Sequence, residues 1–182
     1  EDGINEYGLS VGLTFIYPTI IKAGFNAGLL VRYLLEKCRT TNEAIQTLKQ
    51  IPIASQQTLT IADNTGNIAV VECNAENVEV IKANEKDNFV IATNEFSSEN
   101  MKKYNNYNID DWKAEERYNV GYNALLTNKN NFSFDLAKDI LSGKYGFMCQ
   151  YDRKTNADTV WSVIYDIKNK KVYRVEGNPS RK

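Results

Sequence analysis

The sequence predicts an α+β fold in which antiparallel sheets stack between helical layers. Three observations carry that expectation. Strands and helices come in separate runs, short strands are joined by hairpin turns, and one late strand is apolar on both sides, as a strand between two layers must be. At 182 residues, 42% hydrophobic and 25% charged, the chain suits one domain, 1–182, whose core needs no metal or disulfide staple.

The elements follow in order. From Gly8 to Phe15 the chain alternates, with Leu9, Val11, Leu13 and Phe15 on one face and small residues on the other. That pattern is a strand with one apolar face and a second face that is closely approached. Pro18 ends it. Apolar residues then recur at helical spacing at Leu29, Leu30, Tyr33, Leu34 and Cys38, with Asn26 as N-cap. "TTNEAIQTLKQIP" opens a shorter helix, where Thr40 and Glu43 make a capping box and Pro52 follows the end. "QTLTIAD" and "NIAVVEC" are strands joined across "NTGN", and "NVEVIKA" and "NFVIATN" are two more. Ser97 to Asp110 is polar and aperiodic, the pattern of a long surface loop beside a site.

The second half begins with a helix over Asp111 to Thr127, whose stripe is Ala114, Tyr118, Tyr122, Leu125 and Leu126. "SFDLAKDILSG" is another helix, capped by Ser133 and stopped by Gly143. "DTVWSVIYD" is the strand apolar on both faces; "IKNKK" turns the chain and "VYRVEGNP" returns it.

Composition excludes several functions. The net charge of −1, from 22 basic and 23 acidic residues, leaves no basic stripe for nucleic acid and no polybasic membrane patch. No apolar run approaches a membrane span. The cysteines, Cys38, Cys73 and Cys149, are odd in number and lack metal-ligand spacing, so reduced thiols in a cytoplasmic compartment are expected. There is no histidine, which removes Ser-His-Asp and Cys-His chemistry and the common zinc sites. No metal or cofactor is expected.

The residues left for chemistry are few. Each cysteine reads as a small buried hydrophobe. Asn5 lies in a tight Gly turn, and Asn94 closes a predicted strand where the polar loop begins. Such an Asn is as readily a turn-former as an oxyanion donor. Arg117, beside an apolar stripe, is a surface cation or a ligand for a carboxylate.

These pieces together resemble a known family. "DGINEYGL" looks like the D-G-[MIL]-N-E-x-G-L motif of the choloylglycine hydrolase and penicillin acyltransferase group of N-terminal-nucleophile hydrolases. "ATNEF" resembles its T-N-[HEN]-[FP] segment and "EERYN" its S-R-[YF] helix. "DTVWSVIYDIKNKKVYRVEGNP" is similar to the C-terminal hairpin of the acyltransferase-like branch. The matches keep the family's order and span essentially the whole chain.

The resemblance implies a four-layer αββα sandwich and a reaction that needs no histidine. An N-terminal Cys exposed by self-cleavage attacks an amide or thioester carbonyl, with its own α-amine as base. Carried over by motif, Asn5 gives one oxyanion donor through its backbone N–H, Asn94 gives the second through its side chain, and Arg117 steadies the nucleophile. The implied substrate is a small acyl amide or thioester. Two departures stand out: Glu116 replaces the usual Ser before Arg117, and residue 1 is Glu, with no nucleophile segment before the D-G-I-N-E motif. The expectation is therefore an N-terminally incomplete domain, inactive alone, whose uncovered apolar surface meets a separate N-terminal chain or a second copy. The alternative is a degenerate, non-enzymatic binding remnant of the same fold.

Overall fold

The structure is a computed structural model and describes residues 1–84, 86–109, 112–149, 151–152, 154 and 156–181. Two compact units divide the chain at Asp111 and Trp112.

In the first unit, alternation and turn chemistry build one five-stranded antiparallel sheet in sequence order: β1 (Asp2–Ile4), β2 (Ser10–Phe15), β3 (Gln57–Ala62), β4 (Ile68–Cys73) and β5 (Val78–Lys82). The register places Leu13 opposite Leu59 and Leu59 opposite Val71, and likewise Val11, Ile61 and Ala69 in one row. Period 2 sends these rows to one face. There they pack under α1 (Ala27–Lys37) and α2 (Thr41–Leu48), with Leu30, Leu34, Ala44 and Leu48 fully buried. The opposite face carries the small and polar residues Ser10, Gly12, Thr14, Thr58 and Thr60, as the alternation requires. Gly3 lets β1 lie close to α1: a Cβ there would sit 2.7 Å from Leu35 Cδ1.

The helix boundaries are local. Asn26 Oδ1 accepts the Leu29 N–H at 3.0 Å. Thr40 Oγ1 accepts the Glu43 N–H at 3.2 Å, but the Glu43 carboxylate takes the N–H of Arg39, one residue before the cap, at 2.7 Å. The buried face of α1 holds Leu30, Leu34 and Cys38 of the expected stripe together with Val31, while Leu29 is 55% exposed. Cys38 is the C-cap of α1 and buried.

Three expectations are corrected here. "NFVIATN" forms no strand ladder. It is apolar enough for one, but no neighbouring strand among the described residues offers it a partner, and β5 ends the sheet. The polar loop contains a short helix, α3 (Glu99–Lys102); its last expected residue, Asp110, lies outside the described residues. The late strand forms the hairpin that the sequence predicts, but among the described residues it is not covered on both faces.

That hairpin is in the second unit: β8 (Trp161–Asp166) pairs with β9 (Lys171–Glu176), Ile164 opposite Tyr173. Trp161 is 44% exposed and Val160 61%, so apolar sequence on both faces does not mean burial on both. Before it come α4 (Ala114–Thr127), α5 (Phe134–Leu141) and the minimal pair β6 (Tyr151–Asp152) and β7 (Ala157–Asp158). The first expected residue of α4, Asp111, is outside the described residues. Inside α4 the buried residues are Ala114, Gly121 and Ala124, while Tyr118 and Tyr122 stack on each other 6.0 Å apart. For α5, Ser133 Oγ accepts the Leu136 N–H and Gly143 follows with φ +79°. The "GNP" that follows β9 clasps the hairpin base. Asn178 Nδ2 donates to Asp158 Oδ1 at 2.6 Å, Arg181 reaches Asp158 Oδ2 at 2.7 Å, and the Gly177 N–H reaches Val160 O at 2.7 Å.

Candidate active site

Asn5 is the hub of the turn between β1 and β2. Its Oδ1 accepts the N–H groups of Tyr7 and Leu9, at 3.1 and 2.9 Å. Its Nδ2 donates to the carbonyls of Leu35 and Cys38, at 3.0 and 2.8 Å. Its backbone N–H donates to Leu9 O at 2.9 Å. All three of its N–H hydrogens therefore have acceptors, two of them carbonyls at the C-terminal end of α1 that the helix cannot satisfy itself. Gly8 completes the turn at φ +84°, against Asn64.

Asn94 stands at the other end of β2, where its Nδ2 donates to Phe15 O at 2.8 Å. β2 is six residues long, which at about 3.3 Å per residue puts the two Asn residues roughly 17 Å apart along it. Around Asn94 lies a small cleft of about 20 Å³, walled by Ile16, Tyr17, Glu95, Asn105, Asn106 and Tyr107. The polar loop thus supplies one wall and the end of β2 the other.

Buried polar side chains hold both walls. Gln56, fully buried, accepts from Thr19 N and Oγ1 and donates to Tyr17 O and Tyr104 O, both at 3.1 Å. Glu72, 1% exposed, accepts from the N–H and hydroxyl of Ser97 and from those of Ser98, over 2.6–3.1 Å. Asn105 brackets Phe96, accepting its N–H and donating to its carbonyl. Asn77 donates to the Tyr104 hydroxyl at 2.8 Å. None of these braces was singled out from sequence. Each joins residues 9 to 48 positions apart, a separation that leaves no local signature.

Arg117 belongs to the second unit. Its Nε donates to Trp112 O at 2.8 Å, fastening α4 to its own entry, where Trp112 and Lys113 both have φ +56°. Left-handed backbone at two consecutive bulky residues is a strained start. Glu116 takes Lys113 Nζ at 3.1 Å, so the acidic replacement pairs with a cation one turn away.

The three thiols are set up against reactivity. Burial pushes the Cys73 thiol up to about 12, beyond what the hydrogen bond from Gln57 Nε2 at 3.3 Å recovers. Burial raises Cys38 and Cys149 too, and Cys149 Sγ donates to Leu141 O at 2.7 Å. A neutral thiol is a poor nucleophile. Timed alkylation with iodoacetamide at pH 7.5, read by intact mass, should leave Cys73 unmodified in the native protein and label it promptly in 6 M guanidinium.

Solved structures share this fold. Penicillin V acylase from Agrobacterium tumefaciens superposes with a TM-score of 0.62 at 15% identity, over 96% of this chain and 62% of the acylase. A mutant of conjugated bile acid hydrolase from Clostridium perfringens gives 0.66 at 16% identity, over 96% of this chain and 68% of the hydrolase. Another variant of that hydrolase gives 0.66 at 14%, over 96% and 72%. The chain thus spans less than two thirds of the acylase. No curated protein matches by sequence. The fold is that of the N-terminal-nucleophile hydrolases, the class the four motifs indicated. Within that class the family is specific: residues 1–181 match the profile of acyl-coenzyme A:6-aminopenicillanic acid acyl-transferase, and the chain belongs to that family. Among the described residues no helix is long and apolar enough to cross a membrane.

Proposed function

We propose that these residues form the oxyanion-binding and substrate-supporting part of an enzyme that hydrolyses, or transfers the acyl group of, a linear amide. Its nucleophile is an N-terminal Cys outside the 182 residues, so this polypeptide alone turns over no substrate. The observation that carries the reading is Asn94: a carboxamide donor in the family's T-N motif, braced at the end of a rigid sheet beside a cleft. In this chemistry the α-amine, with a pKa of about 7.7–8.0, takes the proton of its own Cys thiol, the thiolate attacks the acyl carbonyl, the ammonium returns the proton to the departing amine, and water or an acceptor amine then releases the acyl group. Asn94 Nδ2 stabilises the oxyanion formed by that attack.

Asn5 takes a different part from the one its motif suggested. With its N–H groups bound and its place roughly 17 Å along β2 from Asn94, it holds the turn that sets β2. The second donor then comes from the backbone near Thr14 to Tyr17, at the end of β2 that Asn94 touches. The wall formed by Asn105, Asn106 and Tyr107 shapes acyl choice.

The test has two arms. Incubated with an activated acyl ester, the 182-residue chain should give no burst and no acylated cysteine by intact mass; turnover through Cys38, Cys73 or Cys149 would overturn the proposal. Extended upstream to a processed N-terminal Cys, the protein should release acid or transfer acyl from an N-acyl amide. There Asn94→Ala should lower kcat by about 10²–10³. If the extended protein binds acyl ligands without turning them over, the non-enzymatic reading stands instead.

A further inference from the structure

The hydrogen bonds around the Asn94 cleft close into a circuit. Asn94 Nδ2 donates to Phe15 O at 2.8 Å, and two residues further on Tyr17 O accepts from Gln56 Nε2 at 3.1 Å. The same Nε2 donates to Tyr104 O at 3.1 Å. The next residue, Asn105, accepts the Phe96 N–H at 2.8 Å and donates to the Phe96 carbonyl at 2.9 Å, two residues from Asn94. The circuit follows the walls of the cleft, since Ile16, Tyr17, Asn94, Glu95 and Asn105 all line it.

Gln56 is the link that joins the two walls. It stands one residue before β3, in step with Thr58 and Thr60 on the polar face, and is fully buried. Its neighbour Gln57, out of step, donates to Cys73 Sγ at 3.3 Å. The Gln56 oxygen is held by Thr19, through the backbone N–H at 2.8 Å and the hydroxyl at 2.5 Å. With its oxygen held, the planar carboxamide has both N–H hydrogens aimed at carbonyls, one on each wall. Two carbonyl oxygens on one amide nitrogen are kept roughly 5–6 Å apart. Glu72 and Asn77 hold the same loop too, but to β4 and the turn after it.

The size of the cleft makes that spacing matter. A space of about 20 Å³ has room for about one water-sized group. It suits a single carbonyl oxygen beside Asn94, and a small displacement of either wall changes the fit.

We propose that Gln56 is a positioning residue: by holding the Tyr17 and Tyr104 carbonyls it fixes the width of the cleft, so that Asn94 Nδ2 meets the oxyanion as it forms. This role rests on the amide chemistry proposed above. Gln56 acts through the two walls and not on the substrate. Its effect falls on kcat more than on KM, because an oxyanion donor works in the transition state.

The test uses the protein extended upstream to its processed N-terminal Cys, with an N-acyl amide as substrate. Active sites are counted by the burst with an activated acyl ester, so that unfolded protein drops out. Gln56→Met keeps the length of the side chain and loses both donors. It should lower kcat per active site by about 10–10²-fold and leave KM within about twofold. Gln56→Glu keeps an acceptor for Thr19, but its carboxylate has no hydrogen for the two carbonyls. Its kcat relative to wild type should be lowest near pH 8 and recover about threefold or more by pH 5.5, as the buried carboxyl takes a proton and donates to one carbonyl. Gln56→Met should show no such recovery, and it decides the matter if Gln56→Glu does not fold. If the extended wild-type protein turns over no amide, the amide chemistry fails and the role of Gln56 with it. If wild type is active and Gln56→Met keeps its kcat, Gln56 is a brace for stability only, and this proposal alone is overturned. A loss confined to KM, or a Gln56→Glu ratio that stays flat with pH, overturns it as well.

Discussion

Glu72→Ala is expected to destabilise the first unit by about 3–4 kcal/mol, since it removes one buried acceptor and leaves two backbone N–H groups and two hydroxyls without their partner. The side chain is 1% exposed and lies on the polar face of β4, so water does not readily replace it. The loss should appear as a lower urea midpoint. Native-state proteolysis should also cut first between Ser97 and Tyr107, because Glu72 is what ties the start of that segment to the sheet. Glu72→Gln keeps one carbonyl oxygen but turns an NH2 toward donors, and should fall between the two. A Glu72→Ala protein with wild-type stability and an uncut loop would show that the loop is held elsewhere, and the cleft wall around Asn94 would need another support.

The second large effect is a pH dependence at Asp63. The residue closes the β3–β4 turn and reaches under α2: Oδ1 accepts the Thr65 N–H and hydroxyl, and Oδ2 accepts the N–H of Thr41 in the first turn of the helix at 2.8 Å. Burial by itself would raise the carboxyl, but the hydrogen bonds from Thr65 and Thr41 outweigh it and hold it at about 2, against an ordinary 3.8. A carboxylate with a depressed folded value stabilises the fold above its unfolded value and loses that contribution as pH falls through the folded one. Stability from Asp63 is therefore complete above about pH 4 and is lost between about 4 and 2, by roughly 2 kcal/mol. Urea midpoints measured from pH 5 to pH 2 should show this fall, and Asp63→Asn should flatten it while lowering stability at pH 7 by a similar amount. An unchanged slope in the variant would place the acid sensitivity in other carboxylates.

The same residues show what could be read ahead of the structure. Asn26, Thr40 and Ser133 were legible as caps because a cap bonds an amide three residues on. Gly66 at φ +90° was legible as the hairpin turn for the same reason. The apolar stripes are legible in part. α1 turns Leu30, Val31 and Leu34 inward and leaves Leu29 out, and α4 buries Ala114, Gly121 and Ala124 instead of its tyrosines. Periodicity says that a helix has an inner face but leaves the angle of that face to what packs against it. The segment "NFVIATN" and the strand β8 carry the same lesson for sheets: β-forming residues make an extended chain, and only a partner makes a ladder or a covered face.

The candidate site divides along the same line. The family, the antiparallel α+β class and the identity of Asn94 and Arg117 as residues to watch were determined by the sequence, since motifs are local strings kept in order. What each Asn bonds is decided by the tertiary structure alone. Asn5 and Asn94 look alike in sequence, each a polar residue in a turn. One is bound by carbonyls 30 and 33 residues away at the end of α1, and the other sits at the far end of β2 in a cleft held by Gln56 and Glu72. The physical reason is that these hydrogen bonds join positions far apart in the sequence, which only the fold brings within about 3 Å.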